Sequence, residues 1–596
     1  MGLGFTKSSE PLKAYLSEQL ARALTKILPR GEPATLSTET SLESLLARPP
    51  QRSMGDYAFP CFAYAKILRI GPPQVAQLLK TELLTRLETS IVAQLEVVGG
   101  FLNFFVAGES LARLTLIAIA DHSLFAVLKN NSEAAASGKV MLEFSQPNTH
   151  KEFHIGHARN VCLGDALTRI FAYNGYEVMP VNYIGDEGTH VAKCLWQLKQ
   201  SKEAKPSSGF GKWYGSFYAR ASHRLEQASS TEKITIQREI AEILSNLESQ
   251  KGSDYELWQQ SRADCMQDFT EIYAQLGVKF AHIFYESEVS QESQSIVDEY
   301  IAKGLFVESQ GAWGINLESS GLGFFMARKS DGTSLYITKD LALARRKFKD
   351  FAIARSIYVV GNEQNFHFRQ LFKVLALMGF PQAAQCHHVS YAHVKLVEGK
   401  ISSRGGTIVT YRQLYQLLDQ ELARPMEKYR EQWSPAEIAK VRHQLVISAI
   451  KYGMLASDPQ KEIVFDPEAW TSFEGSSGPY LLYCYARAQS ILRKGASAVG
   501  ELDYARLLHP LEVELLWMMY DFNEVVAQAC SLYKPSLLSQ HLFVLGKAFN
   551  RFYAELSVLA APEESTRYHR LALVKAFAQV MHRGLDLLGI EPAERM

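Results

Sequence analysis

The chain has 596 residues, 47% hydrophobic and 21% charged, which is a soluble globular make-up with room for roughly two to five domains. Its 63 basic and 63 acidic side chains cancel, so overall charge argues neither for nor against nucleic acid, and a polyanion partner needs a local basic patch. The seven cysteines, at 61, 162, 194, 265, 386, 484 and 530, form no CxxC or zinc-like spacing, and no apolar run reaches the roughly 18 residues of a membrane span, so a structural metal and a membrane role are not expected and a cytoplasmic location is.

Residues 10–30 read as a helix, with leucines at 12, 16, 20 and 24 on one face. Lys7, Glu10 and Lys13 interrupt any signal-peptide core. The opening MGLGFT fits the loose myristoylation pattern, but a plain chain start before an amphipathic helix is the simpler reading. Short helices and strand-like runs follow over 54–130, and VVGGFLNFFV at 97–106 predicts a strand pair bent at glycine. Residues 1–130 are thus expected to form an N-terminal α+β domain, ending near the polar NNSEAAASG at 130–138.

From 139 the pattern changes. VMLEF at 140–144 predicts a strand, 158–174 a helix, Gly175 its stop, and EVMPVNYIG at 177–185 a second strand. This is a β-α-β unit. SIYVVG at 356–361 predicts a buried strand and 368–380 a helix. The expectation is an α/β multidomain chain whose centre, 131–430, is a Rossmann-type doubly wound parallel sheet. A polar, mostly helical insertion is expected at about 190–330. After 430 no strands are expected. Ser434-Pro435-Ala436-Glu437 is a capping box, and helices are predicted at 435–455, 479–495, 510–530, 538–560 and 567–588, giving an all-α bundle over 431–596.

The chemistry concentrates in SQPNTHKEFHIGH, 145–157, between the first predicted strand and its helix. His154 and His157 flank Gly156 at a helix start. Helix N–H groups and imidazole donors suit a polyphosphate there, and glycine admits a ligand close to the backbone. A second loop, Gly399-Lys400-Ile401-Ser402-Ser403-Arg404-Gly405-Gly406-Thr407, is basic and rich in hydroxyls. Glu143 interrupts an apolar strand, Asp340 follows an apparent helix start, and Asn148 lies in the loop. Carboxylates in such a place suit a cationic substrate, best a guanidinium. Two plainer readings stand beside this one: Asp340 complementing a helix dipole, and Glu143 paired with an internal arginine.

The two loops resemble the HIGH and KMSKS signatures of class I aminoacyl-tRNA synthetases. EFSQPNTHKEFHIGHARN, NYIGDEGTH (182–190), SDGTSLYITKDLALA (330–344), YVVGNEQNFHF (358–368) and FEGSSGPYLLYCYARAQSILRK (473–494) further resemble the arginyl members. So do LWQQSRADCMQDFTEIYAQLGVKF (257–280), MGDYAFPCF (54–62), GGFLNFFV (99–106) and the ending LDLLGIEPAERM (585–596). A short nucleotidylyltransferase shares an HxGH loop but not the length or the helical tail. A non-catalytic tRNA-binding relative would be suggested by loss of His157 or Lys400, and both are present.

The resemblance implies activation of arginine by ATP, with Mg²⁺ in the substrate complex, then transfer to tRNA(Arg) by a monomer. It implies that His154, His157, Lys151 and Lys400 are catalytic. It places ATP on Asn148, His154, Gly156, His157, Lys400 and Ser402, and arginine on Glu143, Asn148, Tyr336, Asp340 and Gln364. The family's second signature lysine is Ser403 here; Lys151, just before HIGH, is expected to replace it, with Arg404 as the alternative. Glu187 and His190 stand where relatives commonly have Trp and Gln, a change in the pocket wall. The N-terminal domain is expected at the D-loop of tRNA. Tyr480, Tyr483, Arg487 and Met596 are expected at the anticodon, where unpaired bases stack on aromatic rings. Arg345-Arg346-Lys347 is a candidate phosphate contact.

Overall fold

A computed structural model describes residues 10–29, 41–126, 138–329, 336–396, 409–495 and 500–596. The first helix, α1 (Pro11–Ile27), starts on proline and buries Leu12, Leu16, Leu20 and Leu24 as the spacing predicts. Each such leucine contributes about 1.5–3 kcal/mol relative to exposure. A three-stranded antiparallel sheet follows, β1 (Tyr57–Pro60), β2 (Val92–Val98) and β3 (Phe101–Val106), in the order β1-β3-β2, with helices α2 (Pro72–Leu84) and α3 (Gly108–Ala120). The predicted glycine bend is the β2–β3 hairpin: Gly99 turns at φ 58° and Val98 faces Phe101.

The central sheet is parallel throughout. Its strands are β4 (Lys139–Glu143), β5 (Glu177–Ile184), β6 (His282–Tyr285), β10 (Arg355–Gly361) and β11 (Cys386–Tyr391), in the order β11-β10-β4-β5-β6. Strand β4 is central, and helix α4 (Ile155–Tyr173) links it to β5. Alternation along each strand divides the side chains between two faces. Val140, Leu142, Ile357 and Val359 join the core shared with α4 and the C-terminal helices. Met141, Val181, Tyr183, Phe284 and Tyr358 join a second core against α10 (Tyr336–Phe351) and α11 (Asn365–Leu377). Glu143, two residues after Met141, falls on the second face.

Between β5 and β6 lie α5 (Thr189–Lys199), α6 (Phe210–Gln227), α7 (Ser230–Glu248) and α8 (Gly252–Gln275). They have a small core of their own around Leu195, Ile240 and Trp258. Two features here depart from the mostly helical reading. β6, four residues long, completes the parallel sheet before α9 (Glu286–Ala302), and β7 (Val307–Ser309), β8 (Ala312–Asn316) and β9 (Phe324–Arg328) form an antiparallel meander. The runs are too short to show a period.

The tail contains α12 (Tyr411–Met426), α13 (Pro435–Leu455), α14 (Gly478–Lys494), α15 (Pro510–Tyr520), α16 (Phe522–Ser531), α17 (Pro535–Glu555) and α18 (Glu564–Leu587). Both halves of the Ser434/Glu437 capping box form. The helix predicted at 510–530 breaks at Asp521. One strand does occur after 430: β13 (Ile463–Phe465) pairs in parallel with β12 (Val394–Leu396). The first domain seats on the tail through Arg48, whose guanidinium lies 4.2 Å from both the Tyr57 and Trp517 rings and pairs with Asp521. Among the described residues no helix is long and apolar enough to cross a membrane.

Candidate active site

The carboxyl end of β4 leads into the 144–153 loop, and α4 begins beside it. Gly164 brings the helix close: a Cβ there would lie 2.1 Å from Phe144. His154 caps the helix with its own ring. Its Nδ1 accepts from the N–H groups of Gly156 and His157 at 3.1 and 3.4 Å, and His157 Nδ1 accepts from His154 N–H at 3.2 Å. An acceptor Nδ1 carries no proton, so the N–H of each neutral ring sits on Nε2. The rings stack at 3.7 Å. Gly156 leaves room for this, since a Cβ would lie 3.0 Å from the His154 ring. The expected close backbone approach at that glycine is made by His154 itself.

Burial, then the nearby Lys151 ammonium, pushes the His154 pKa down to about 4. Burial, His154 and Lys151 push His157 well below the ordinary value. Both rings are therefore neutral donors at pH 7, and Lys151 supplies the positive charge. Its Nζ lies 5.5 Å from the Tyr218 ring centroid. His190 also faces Lys151, and burial first, then Lys151 and Lys339, bring its pKa down to about 4. Its Nε2 is buried without a hydrogen-bond partner among the described residues.

Asn148 bridges to Gly185 at the end of β5, where a Cβ would lie 2.2 Å from Asn148 Oδ1. Lys400, Ser402 and Arg404 lie outside the described residues. The chain beyond them meets the site directly: Ile155 N–H donates to Val409 O, and Tyr411 N–H to Phe153 O, both at 2.9 Å. Arg159, which sequence reasoning missed, fixes the chain before them. It is buried and donates to the carbonyls of Ala392, His393, Pro459 and Lys461 at 2.5–3.1 Å.

On the opposite face of the sheet, carboxylates gather. Tyr183 has a buried hydroxyl without a hydrogen-bond partner among the described residues. Burial, then the charges of Asp340, Glu286, Glu143 and Glu187, push its pKa well up. Asp340 Oδ2 pairs with His367 Nε2 at 2.6 Å. Glu286 begins α9 directly after β6; burial, with Glu187, Asp340 and Asp186 adding to it against Lys339, pushes its pKa up to about 8. Glu187, expected in the pocket wall, accepts from Lys339 and Ser290 and forms an ion pair with Lys339. Glu143 has an internal cation, but it is Lys347 rather than an arginine, and Gln146 Nε2 donates to its other oxygen at 3.2 Å. This removes Lys347 from the candidate phosphate contact at 345–347, while Arg345 and Arg346 stay partly exposed in ion pairs. Lys347 is fully buried on Glu143, Arg345 pairs with Glu299 at 3.2 Å, and Arg346 with Asp350 at 3.3 Å.

Gln364 ends a short turn after β10, half-buried. The Tyr336 backbone begins α10; its side chain lies outside the described residues. Tyr183 and Glu286 were missed in the sequence, although each lies at the carboxyl end of a parallel strand, where such folds bind ligands. The signal for Glu286 was hidden with β6.

The tail residues form a separate group. Tyr480 is buried on Phe543, and its hydroxyl accepts from Asn550 Nδ2 at 3.0 Å. The Arg487 guanidinium lies 4.5 Å over the half-buried Tyr483 ring, donates to its hydroxyl, and donates to Asn550 Oδ1 at 2.8 Å. Met596 packs half-buried against the core.

Comparisons with known proteins agree over the whole length. A family described as "tRNA synthetases class I (R), catalytic domain" matches residues 122–467. "Arginyl tRNA synthetase N terminal domain" matches 14–106, and "DALR anticodon binding domain" matches 481–596. A protein named Arginine--tRNA ligase from Bdellovibrio bacteriovorus is 39% identical, covering 95% of this chain and 97% of that one. One of the same name from Clostridium botulinum is 34% identical over 93% and 96%. The Thermus thermophilus arginyl-tRNA synthetase structure superposes with a TM-score of 0.80 at 29% identity, over 98% of this chain and 100% of that one. The Plasmodium falciparum enzyme, at 18% identity and a TM-score of 0.76 over 98% and 99%, shares the fold.

Proposed function

The chain belongs to the class I arginyl-tRNA synthetases, and on that premise we propose that it activates L-arginine with ATP and passes the arginyl group to the 3′-terminal adenosine of tRNA(Arg). The arginine carboxylate attacks the α-phosphorus, pyrophosphate leaves, and no protein nucleophile is needed. The work is positioning and charge stabilisation. His154 and His157 donate Nε2–H to phosphate oxygens. Lys151 and Lys400 take the phosphate charge, Lys151 in place of the lysine that Ser403 lacks. Asn148, Gly156 and Ser402 complete the nucleotide site. Arginine lies against Glu143, Asn148, Tyr336, Asp340 and Gln364, with Glu286 adding charge. Mg²⁺ arrives on ATP.

Residues 1–130 meet the D-loop, 131–430 carry out activation with 190–330 as the insertion, and 431–596 read the anticodon. There Tyr483 and Arg487 present the contact face, Tyr480 backs them, and Met596 joins from the chain end. The enzyme acts as a monomer in the cytoplasm. The observation that carries the reading is the charge division at one sheet edge: neutral N–H donors with a lysine on one side, four carboxylates around Tyr183 on the other. That pairing suits an anionic nucleotide beside a cationic amino acid. ATP–pyrophosphate exchange with each amino acid, with and without tRNA, tests it. Exchange with arginine alone supports it, and exchange with another amino acid, or none from folded protein, overturns it.

A further inference from the structure

The phosphate loop leaves the ordinary backbone regions three times without a glycine: Ser145 at φ 84°, Gln146 at 43° and His150 at 62°. Such conformations persist only where the surroundings over-determine them. Here the inserted helices do so. The fully buried His150 ring bridges Thr149 Oγ1 at 2.9 Å and Ser261 Oγ of α8 at 2.8 Å. The His150 backbone N–H donates to Cys265 Sγ, one turn further along α8, at 3.3 Å. Tyr273 of the same helix is hydrogen-bonded to Ser145 Oγ at 2.8 Å. Thr149 is tied to the sheet, its N–H donating to Gly185 O at 2.9 Å.

Helix α6 closes the other side. The Tyr214 ring lies edge-on to His150 at 5.3 Å. Gly211 and Gly215, one turn apart, face the loop backbone: a Cβ on the first would lie 3.3 Å from Lys151 O, and on the second 3.7 Å from Glu152 N. Lys151 therefore projects from a backbone gripped by two helices. Both His150 ring nitrogens are already occupied, so this residue does not reach substrate. Burial pushes its pKa down to about 3, which leaves it neutral beside Lys151.

We propose that His150 is a positioning residue: held between Thr149 and Ser261, its imidazole keys the phosphate loop to the inserted helices and so sets where Lys151 places its charge. This rests on the reading of Lys151 as an ATP cation. The test is ATP–pyrophosphate exchange by the full chain with arginine and tRNA(Arg), for His150→Asn, Ser261→Ala, Lys151→Ala and each of the first two combined with the third. Asparagine tolerates the left-handed backbone while losing the span. Each of the first two is expected to weaken ATP use about five- to tenfold, through ATP KM or kcat, and to leave arginine KM within about twofold. On the Lys151→Ala background the same changes should cost no more than about twofold. Equal losses on both backgrounds indicate a merely structural role and overturn the proposal. Impaired Lys151→Ala with wild-type ATP dependence in both single variants overturns the keying alone. Full exchange by Lys151→Ala removes the underlying reading and the proposal with it. If His150→Asn does not fold, Ser261→Ala carries the same comparison.

Discussion

At the histidine side of the site, the His154 and His157 rings are held neutral by burial, and their N–H groups are aimed by hydrogen bonds to the backbone at the start of α4. On the other face of the same strands, carboxylates crowd the buried Tyr183 hydroxyl, and one of them is pushed up to about 8. The two regions satisfy burial differently. The histidines avoid charge because burial, then the neighbouring Lys151, disfavours it, and each acceptor nitrogen is matched by a backbone N–H. The carboxyl groups are met in part by Lys339 and Lys347, and crowding with burial leaves Glu286 with a raised pKa. A buried polar group without full compensation is costly. That cost is tolerable where a ligand brings the missing charge, which is the basis for proposing a cation site there.

The comparison can be broken at several points. The largest effect is expected from Glu143→Ala, which leaves Lys347 buried and unpaired. Removing one partner of such a pair costs about 3–5 kcal/mol. Thermal unfolding should show a large drop in the midpoint; an unchanged midpoint with only weaker arginine use would make Glu143 a binding group and nothing more. Next is His157→Ala. Loss of an oriented donor to the developing phosphoryl charge should reduce pyrophosphate exchange about 10²-fold or more. Near-normal exchange would remove His157 from the phosphate side.

A smaller effect sharpens the carboxylate side. With its pKa near 8, Glu286 holds a proton at pH 7 in the free protein. An arriving guanidinium favours the ionised form, so its pKa falls and a proton is released. Calorimetry at pH 7 in buffers of different ionisation enthalpy should show release of up to about one proton per arginine bound, fading as pH rises above 8. Glu286→Gln should abolish it. Proton uptake, or the same release in that variant, would place the titrating group elsewhere.

The sequence made the histidine side legible because helix start, glycine and histidines are local signals. The β-α-β unit around them, the 97–106 hairpin and the Ser434/Glu437 capping box are readable for the same reason. The carboxylate side was legible only in part. Glu143 and Asp340 stood out as charges in apolar surroundings, but the partner of Glu143 comes from 204 positions away, and Lys347 looked like part of a surface basic run. Glu286 follows a four-residue edge strand hidden in a polar helical region. The positive φ values at Ser145, Gln146 and His150 carry no sequence mark, since tertiary contacts rather than glycine impose them.

The division itself is tested most directly by measuring both Michaelis constants, for ATP and for arginine, in Lys151→Ala and Asp340→Asn under the same exchange conditions. The account predicts a crossover: Lys151→Ala weakens ATP use about tenfold and spares arginine, while Asp340→Asn weakens arginine use about tenfold and spares ATP, as expected for loss of one charge-assisted contact in each. Equal shifts in both constants for either variant would contradict two charge-divided sites on one sheet edge.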